Sequence, residues 1–294
     1  MIDLTILIIS YKSLEKLNEC IQTIGKNKKI LVVENSNNIQ IKNELEKKYP
    51  NCEVYLNNSN LGYSKASNIG FSKIKTDYAL LLNTDIKISE EQINEIEKEV
   101  KNIGTRFILG SPLSDDLIDF NKNNKLDKYF DKELLDLNCT NSSTKVDLIK
   151  GCSLVVNLKK FENRKVFDEN FFFFFEEMDL CRNIKKRKEE IYVFNQIKIE
   201  HKSAQSLDES YNENYQNFRN WNYFWGRFYY FKKHYGYIYS LSKHTSKLIR
   251  FFFNMVRYFL FSKTLYNKNK YRFLGLTNSI IGKKSSISSK ILEK

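Results

Sequence analysis

Apolar residues follow two alternating rhythms along the first hundred positions. Short continuous runs at Leu4-Thr5-Ile6-Leu7-Ile8-Ile9-Ser10, Ile30-Leu31-Val32-Val33, Glu53-Val54-Tyr55-Leu56 and Ala79-Leu80-Leu81-Leu82 read as strands, most of them buried on both faces. Between them, apolar positions recur every three or four residues. Leu14, Leu17, Ile21 and Ile24 share one helical face, with Ser13 as cap and Gly25 as stop. Ile41, Leu45 and Tyr49 share another, with Pro50 just beyond. After the polar stretch Asn58-Ser59-Asn60-Leu61-Gly62-Tyr63 comes a helix with Ala66, Ser67, Asn68 and Gly70. Those residues are small enough to let it approach a sheet or a ligand closely. Ser89-Glu90-Glu91-Gln92 is a capping box that opens a helix with Ile93, Ile96, Val100 and Ile103 on one side. Strand and helix alternate four times, which predicts an α/β fold with right-handed crossovers.

Further along the pattern is less regular. Arg106 to Pro112 reads as another strand, and residues 114–145 as a polar surface excursion or lid. Order returns with Val146 to Val156. Next come Phe167-Asp168-Glu169-Asn170, five phenylalanines at 171–175, and the acidic opening of a helix, Glu176-Glu177-Met178-Asp179-Leu180-Cys181-Arg182. Tyr192-Val193-Phe194 and Ile197-Lys198-Ile199 read as short strands, the second delivering His201. Asp208 to His234 is rich in aromatics and reads as helix.

Candidate chemistry lies where the strands stop. Ser10-Tyr11, Glu34-Asn35 and Asn83-Thr84-Asp85 follow three runs that parallel pairing would place on one edge of the sheet, the edge where open α/β sheets bind ligands. A hard carboxylate at Asp85 suits Mg²⁺ or Mn²⁺, which in turn would hold a diphosphate. An Asp closing a strand in a turn is the alternative. Several acids directly after an apolar wall suggest a carboxylate whose proton affinity is raised toward that of a general base. Here the alternative is a buried Phe strand followed by an acidic helix N-terminus.

Composition changes this picture in two places. Five scattered cysteines without ligand spacing read as reduced cytosolic thiols, and no basic, apolar leader opens the chain. The glycosylation patterns at Asn138-Cys139-Thr140 and Asn141-Ser142-Ser143 read as chance in such a setting. Of the net charge of +13, residues 236–294 hold +11, with twelve Lys or Arg against Glu293 alone. The remainder of the chain is nearly neutral.

Taken together and in order, Ile8-Ile9-Ser10-Tyr11, Val32-Val33-Glu34-Asn35-Ser36, Asn60-Leu61-Gly62 with Asn68-Ile69-Gly70, Leu82-Asn83-Thr84-Asp85, Phe167-Asp168-Glu169 and Glu176 to Arg182 resemble the inverting glycosyltransferase family 2, especially its rhamnosyltransferase-like members. The resemblance covers about residues 4–205 and continues faintly in Lys232-Lys233-His234-Tyr235-Gly236. It implies a GT-A fold, a nucleotide-sugar donor bound near Ser10, Tyr11, Glu34, Asn35, Asn60, Gly62, Asn68 and Asn83, and a glycan or lipid-linked acceptor. Tyr11 and Glu34 would lie against base and ribose. Asp85 would hold the metal, Mg²⁺ or Mn²⁺, and His201 matches a family histidine near metal and phosphates. Glu177 falls at the family's general-base position. The family most often has Asp at Glu34 and Glu177, and one extra methylene moves a carboxylate by about an ångström, a costly distance for a catalytic group. Either the backbone is set back there, or Glu176 or Asp179 shares the role.

The implied organisation is a glycosyltransferase domain at 1–205, with a donor half at about 1–113 and an acceptor half at about 114–205. A helical extension at 206–235 and a basic tail at 236–294 follow. In the tail, Lys243, Lys247, Arg250, Asn254 and Arg257 fall at offsets 0, 4, 7, 11 and 14 among apolar residues. That spacing predicts an amphipathic helix lying in an anionic membrane surface rather than crossing it. Docking on its own domain or on a homodimer partner is the alternative. The expected setting is cytoplasmic, peripheral on the inner face of the membrane, in surface polysaccharide or lipid-linked glycan synthesis. Two other classes compete. A nucleic-acid-binding protein would need an ordered basic face before residue 236, and no RNA motif is present, so no nucleic acid is expected. A nucleotidyltransferase would show a Gly-rich phosphate loop where the chain has Ser10-Tyr11-Lys12-Ser13.

Overall fold

A computed structural model describes residues 2–114, 117, 127–130, 140–201 and 213–292. The chain divides into two compact units. The first comprises Met1–Asn60, Lys65–Asp168 and Glu177–Asp208, and the second Leu61–Ser64, Glu169–Glu176 and Glu209–Lys294.

In the first unit the apolar runs become strands β1 (Leu4–Ser10), β2 (Ile30–Glu34), β3 (Cys52–Leu56) and β4 (Tyr78–Leu82), joined by helices α1 (Leu14–Ile24), α2 (Ile39–Lys48) and α3 (Tyr63–Lys73). A two-residue strand β5 (Ile86–Lys87) and helix α4 (Glu90–Ile103) follow, then β6 (Phe107–Leu113), β7 (Ser143–Val146), β8 (Ser153–Asn157), helix α5 (Glu176–Lys186), β9 (Glu190–Lys198) and β10 (Glu200–His201). The main sheet runs β3-β2-β1-β4-β8-β6-β9-β7. β1 to β4 are mutually parallel, β6 pairs parallel with β9, and β7 and β8 run antiparallel to their neighbours. The expected α/β architecture is therefore present, with antiparallel strands inserted in its second half. The two short strands expected near 192–199 are one strand, β9.

Local chemistry explains the boundaries. The capping box is formed: Ser89 Oγ accepts from Gln92 N, and Gln92 Oε1 accepts from Ser89 N. Ser13 sits at the start of α1 as expected but makes no side-chain cap; its hydroxyl donates to Tyr11 O at 2.9 Å. The Asn38 side chain caps α2 instead, accepting from Gln40 N and Ile41 N. Gly70 lets α3 lie against the sheet, since a Cβ there would collide with Leu7. Of the expected excursion at 114–145, most lies outside the described residues, including Asn138 and Cys139. The cysteines at 20, 52, 152 and 181 are buried.

The second unit is helical: α6 (Glu213–Tyr235), α7 (Tyr237–Tyr258) and α8 (Lys263–Ile280), with α8 packed on both others. The boundary at 235 is a helix boundary and not a core boundary, because Phe224 and Phe228 of α6 share one core with Phe251 of α7 and Leu276 of α8. Gly275 admits the backbone of Trp221 where a Cβ would clash. The five phenylalanines do not form a strand. Phe174 and Phe175 adopt φ of 71° and 74°, and the run meets α6 ring to ring, as in Phe171 with Tyr229 at 5.0 Å and Phe172 with Phe218 at 5.9 Å. Gly62, at φ 81°, fits beneath Phe172, and Tyr63 N donates to Phe172 O at 2.7 Å.

Candidate active site

Parallel register brings the polar strand ends to one edge. Ser10 is opposite Glu34, and Ile8 is opposite both Val32 and Leu82, so Asn83 to Asp85 leave the sheet beside them. Glu34 is fully buried. Its Oε1 accepts from Ser36 N at 2.9 Å and from the Ser36 hydroxyl, while Oε2 is enclosed without a donor. The Ser10 hydroxyl is enclosed in the same way. An asparagine chain braces this edge: Asn57 Nδ2 donates to Asn35 Oδ1 and Asn35 Nδ2 to Asn60 Oδ1, each at 3.0 Å. Tyr11 is half-buried, with the Lys12 ammonium 5.5 Å from its ring centre. Next to Ser36 opens a pocket of about 670 Å³ lined by Lys12, Asn37, Asn38, Gln40 and Glu44 among others.

Asp85 and His201 meet although 116 positions separate them. β5 pairs antiparallel with β10, Ile86 facing His201, and this ribbon sets the imidazole Nε2 3.5 Å from Asp85 Oδ1. The two side chains are 3% and 6% exposed. Asp85 thus points inward at the strand end and not into solvent, and its Oδ1 has no hydrogen-bond donor. An enclosed carboxylate oxygen facing an imidazole fits a divalent cation such as Mg²⁺ or Mn²⁺. Among the described residues no group of three or more His, Cys, Asp or Glu could hold a metal by itself. Oxygens from outside the chain would have to complete the coordination. The same edge raises the Cys20 thiol to about 12, through burial first and the Asp85 charge second.

The three acids of α5 have different surroundings. Glu177 Oε2 is enclosed with no donor, and Gly151 packs 3.5 Å from its Cβ, as measured from the Cβ position a side chain at 151 would occupy. Burial pushes the Glu177 carboxyl above its ordinary value of 4.5, opposed in part by its own and Met178 backbone N–H groups and the Lys150 charge. Asp179 is buried, and its Oδ2 accepts from Asn183 Nδ2 at 3.1 Å. Glu176 is buried in the segment that clusters with the second unit, as does Gly62. Asn68, expected near the donor, is committed elsewhere. Its Oδ1 accepts from Val166 N and Phe167 N at 3.0 Å, and its Nδ2 donates to Phe167 O at 2.9 Å.

Four residues not expected from the sequence complete the picture. Asn57 links β3 to the strand edge, and Ser153, opposite Leu82, adds another enclosed hydroxyl. Asp127 forms a buried ion pair with Arg182 of α5 at 2.6 Å, and the guanidinium lies 4.2 Å from the Tyr129 ring centre. A local signal existed only for Asn57, which directly follows the β3 run.

The profile of glycosyl transferase family 2 matches residues 5–165, more than half of the chain. The chain belongs to glycosyl transferase family 2. A curated relative, the low-salt glycan biosynthesis hexosyltransferase Agl10 of Haloferax volcanii, is 24% identical over 199 residues, which are 65% of this chain and 64% of that protein. The chain therefore matches less than two thirds of that relative's length. Among solved structures, the mannosyltransferase PcManGT from Pyrobaculum calidifontis, in complex with GDP-Man and Mn²⁺, superposes with a TM-score of 0.56 at 9% identity, covering 95% of this chain and 87% of that one. S. aureus TarS 1-349 in complex with UDP gives 0.52 at 10% identity, covering 95% and 90%. At such identities the likeness is one of fold, and it matches the GT-A fold implied by the motifs of this family 2 member.

Proposed function

We propose that the protein moves a sugar from a nucleotide-sugar donor to an acceptor hydroxyl with inversion, in glycan synthesis. The observation that carries this reading is the enclosed Asp85 carboxylate, its Oδ1 without a hydrogen-bond donor and 3.5 Å from His201 Nε2, at the carboxyl edge of the parallel strands of a family 2 chain. Ser10, Tyr11, Glu34, Asn35, Asn60 and Asn83 line or brace the same edge and are the residues we assign to the nucleoside and its diphosphate; Gly62 shapes the loop that follows Asn60. Glu34 Oε2 offers an unused acceptor to a base N–H or a ribose hydroxyl. When Mg²⁺ or Mn²⁺ is held by Asp85 and His201, it supplies positive charge against the leaving nucleoside diphosphate. The complexes named for the structural neighbours, GDP-Man with Mn²⁺ and UDP, support a donor and a metal of this kind.

Glu177 is the general base in this scheme. Its carboxylate takes the proton of the acceptor hydroxyl while the hydroxyl oxygen bonds to the anomeric carbon. The bond from that carbon to the diphosphate breaks on the opposite face, which inverts the configuration. Burial raises the proton affinity of Glu177, whereas an Asp179 oxygen already accepts from Asn183. Asp179 and Glu176 are assigned to holding the first turn of α5. Residues 1–113 form the donor half and 114–205 the acceptor half. The basic segment 236–294 places the enzyme peripherally on the inner face of a membrane, where a lipid-linked acceptor is found.

The test is donor hydrolysis across UDP-, dTDP- and GDP-sugars with Mg²⁺ or Mn²⁺, followed by transfer and determination of the product's anomeric configuration. One nucleotide class should be turned over in a metal-stimulated reaction, with an inverted product. Turnover of none, or retention of configuration, would contradict the reading.

A further inference from the structure

Helices α7 and α8 carry an apolar face that their own unit does not cover. Ile249, Phe252, Phe253 and Val256 of α7 lie at offsets 0, 3, 4 and 7, a spacing that ordinarily marks a buried stripe, yet all four are exposed. The side of α7 that is buried is the Phe251 side, which packs on Phe224 at 4.7 Å. The stripe runs on into the turn between the helices, where Phe259 is 66% exposed and Leu260 and Phe261 are each 82% exposed.

This turn is ordered within itself. Phe259 N donates to Val256 O, Phe261 N and Ser262 N both donate to Tyr258 O, and Ser262 Oγ caps α8 by accepting from Leu265 N. These internal bonds hold the turn in shape and present its apolar side chains outward. A turn between helices facing water is ordinarily built from Gly, Asn, Asp or Ser, not Phe-Leu-Phe.

Arg250, Arg257 and Lys263 border this face and are exposed, and residues 236–292 contain no Asp or Glu. That charge pattern selects the occupant. A second copy of the chain docked face to face would set these cations against their own equivalents, with no acid on α7 or α8 to pair them. An anionic lipid surface supplies hydrocarbon for the stripe and phosphate for its border. No helix among the described residues is long and apolar enough to cross a membrane.

We infer that the α7–α8 turn, with Phe259, Leu260 and Phe261 at its tip and the Ile249–Val256 stripe behind it, is a wedge that inserts into the interface of an anionic membrane. The inference rests on the tail reading given above and makes it specific. Binding depends on apolar insertion at one turn, not on charge alone.

The experiment uses the full chain and vesicles of phosphatidylglycerol and phosphatidylcholine in equal parts. It compares wild type with the triple variant Phe259→Ser, Leu260→Ser, Phe261→Ser, whose positions are exposed and whose melting curve should match wild type. The wild type should sediment with the vesicles, and the triple variant should bind about tenfold more weakly or worse, because three large apolar side chains no longer leave water. Donor turnover should be the same in both. Equal sedimentation of the two proteins overturns the wedge and leaves an electrostatic tail standing. No sedimentation of either overturns both. A wild-type dimer in analytical ultracentrifugation that the serine variant loses assigns the face to a second copy and overturns the lipid assignment.

Discussion

The candidate sites of the two units leave opposite kinds of groups unsatisfied. Around the sheet edge and the start of α5, polar oxygens are enclosed without a donor: Asp85 Oδ1, Glu34 Oε2, Glu177 Oε2 and the hydroxyls of Ser10 and Ser153. Along α7 and the turn after it, apolar side chains are open to water: Phe252, Phe253, Val256, Phe259, Leu260 and Phe261. A buried oxygen without a donor costs stability unless a cation or a donor arrives, and an exposed aromatic stripe costs unless hydrocarbon covers it. Each region therefore describes the chemistry of its missing partner. One calls for a cation and hydroxyl or N–H donors, the other for a nonpolar anionic surface.

The largest expected effect comes from removing a charge that the sheet edge holds. Asp85→Asn keeps the shape but not the anion, and transfer should fall about 10³-fold or more, since metal stabilisation of a leaving group amounts to several kcal/mol. Because Asp85 Oδ1 has no donor to lose, the melting temperature should hold or rise. A variant that keeps wild-type turnover would reduce Asp85 to a strand terminator.

Glu177→Gln comes next, with a loss of about 10²-fold or more in transfer. Its acid limb supplies a second readout. The base works when deprotonated, so the rate should rise with pH through a value above 4.5. The sign for stability is the opposite. The folded protein holds this proton more tightly than the unfolded chain, so the contribution of Glu177 is greatest below 4.5 and is lost as pH rises through the elevated folded value. The Gln variant should lack that dependence. If Glu176→Gln cost as much and Glu177→Gln nothing, the base would be one residue earlier.

Smaller effects separate structural from chemical roles. Asn68→Ala strips the partners from two buried N–H groups and a carbonyl, so stability should fall by about 2–4 kcal/mol while donor KM in the folded fraction stays unchanged. A raised KM with an unchanged melting curve would return Asn68 to the donor site. Gly62→Ala forces a side chain into φ 81° with Phe172 2.7 Å away, and should cost about 1–3 kcal/mol by thermal melting.

These contrasts mark what could be read from the chain alone. β1 to β4, the stop of α1 at Gly25 and the Ser89–Gln92 box are local, so period and cap residues sufficed. The edge of Ser10, Glu34 and Asn83 was legible because parallel strands share a direction. His201 was legible at a strand end, but its nearness to Asp85 came only through the family motif, since it depends on the two-residue pairing of β5 with β10. For Asn68 the sequence is ambiguous, because a small polar residue on a helix looks the same whether it faces a ligand or clips a loop. The Phe171–Phe175 run does not take the strand alternative: its rings dock on α6, and two of its residues are left-handed. For α7, the period identified a stripe but not whether protein or lipid covers it.

Calorimetric donor binding with Mn²⁺, measured on wild type, Asp85→Asn and Glu177→Gln, is the most direct test of the sheet-edge assignment. The ligand is the nucleotide-sugar class that the hydrolysis screen selects. The account requires that Glu177→Gln binds donor like wild type yet does not transfer, and that Asp85→Asn loses metal-dependent binding and transfer together. Undiminished donor binding by Asp85→Asn in the presence of Mn²⁺ would contradict it.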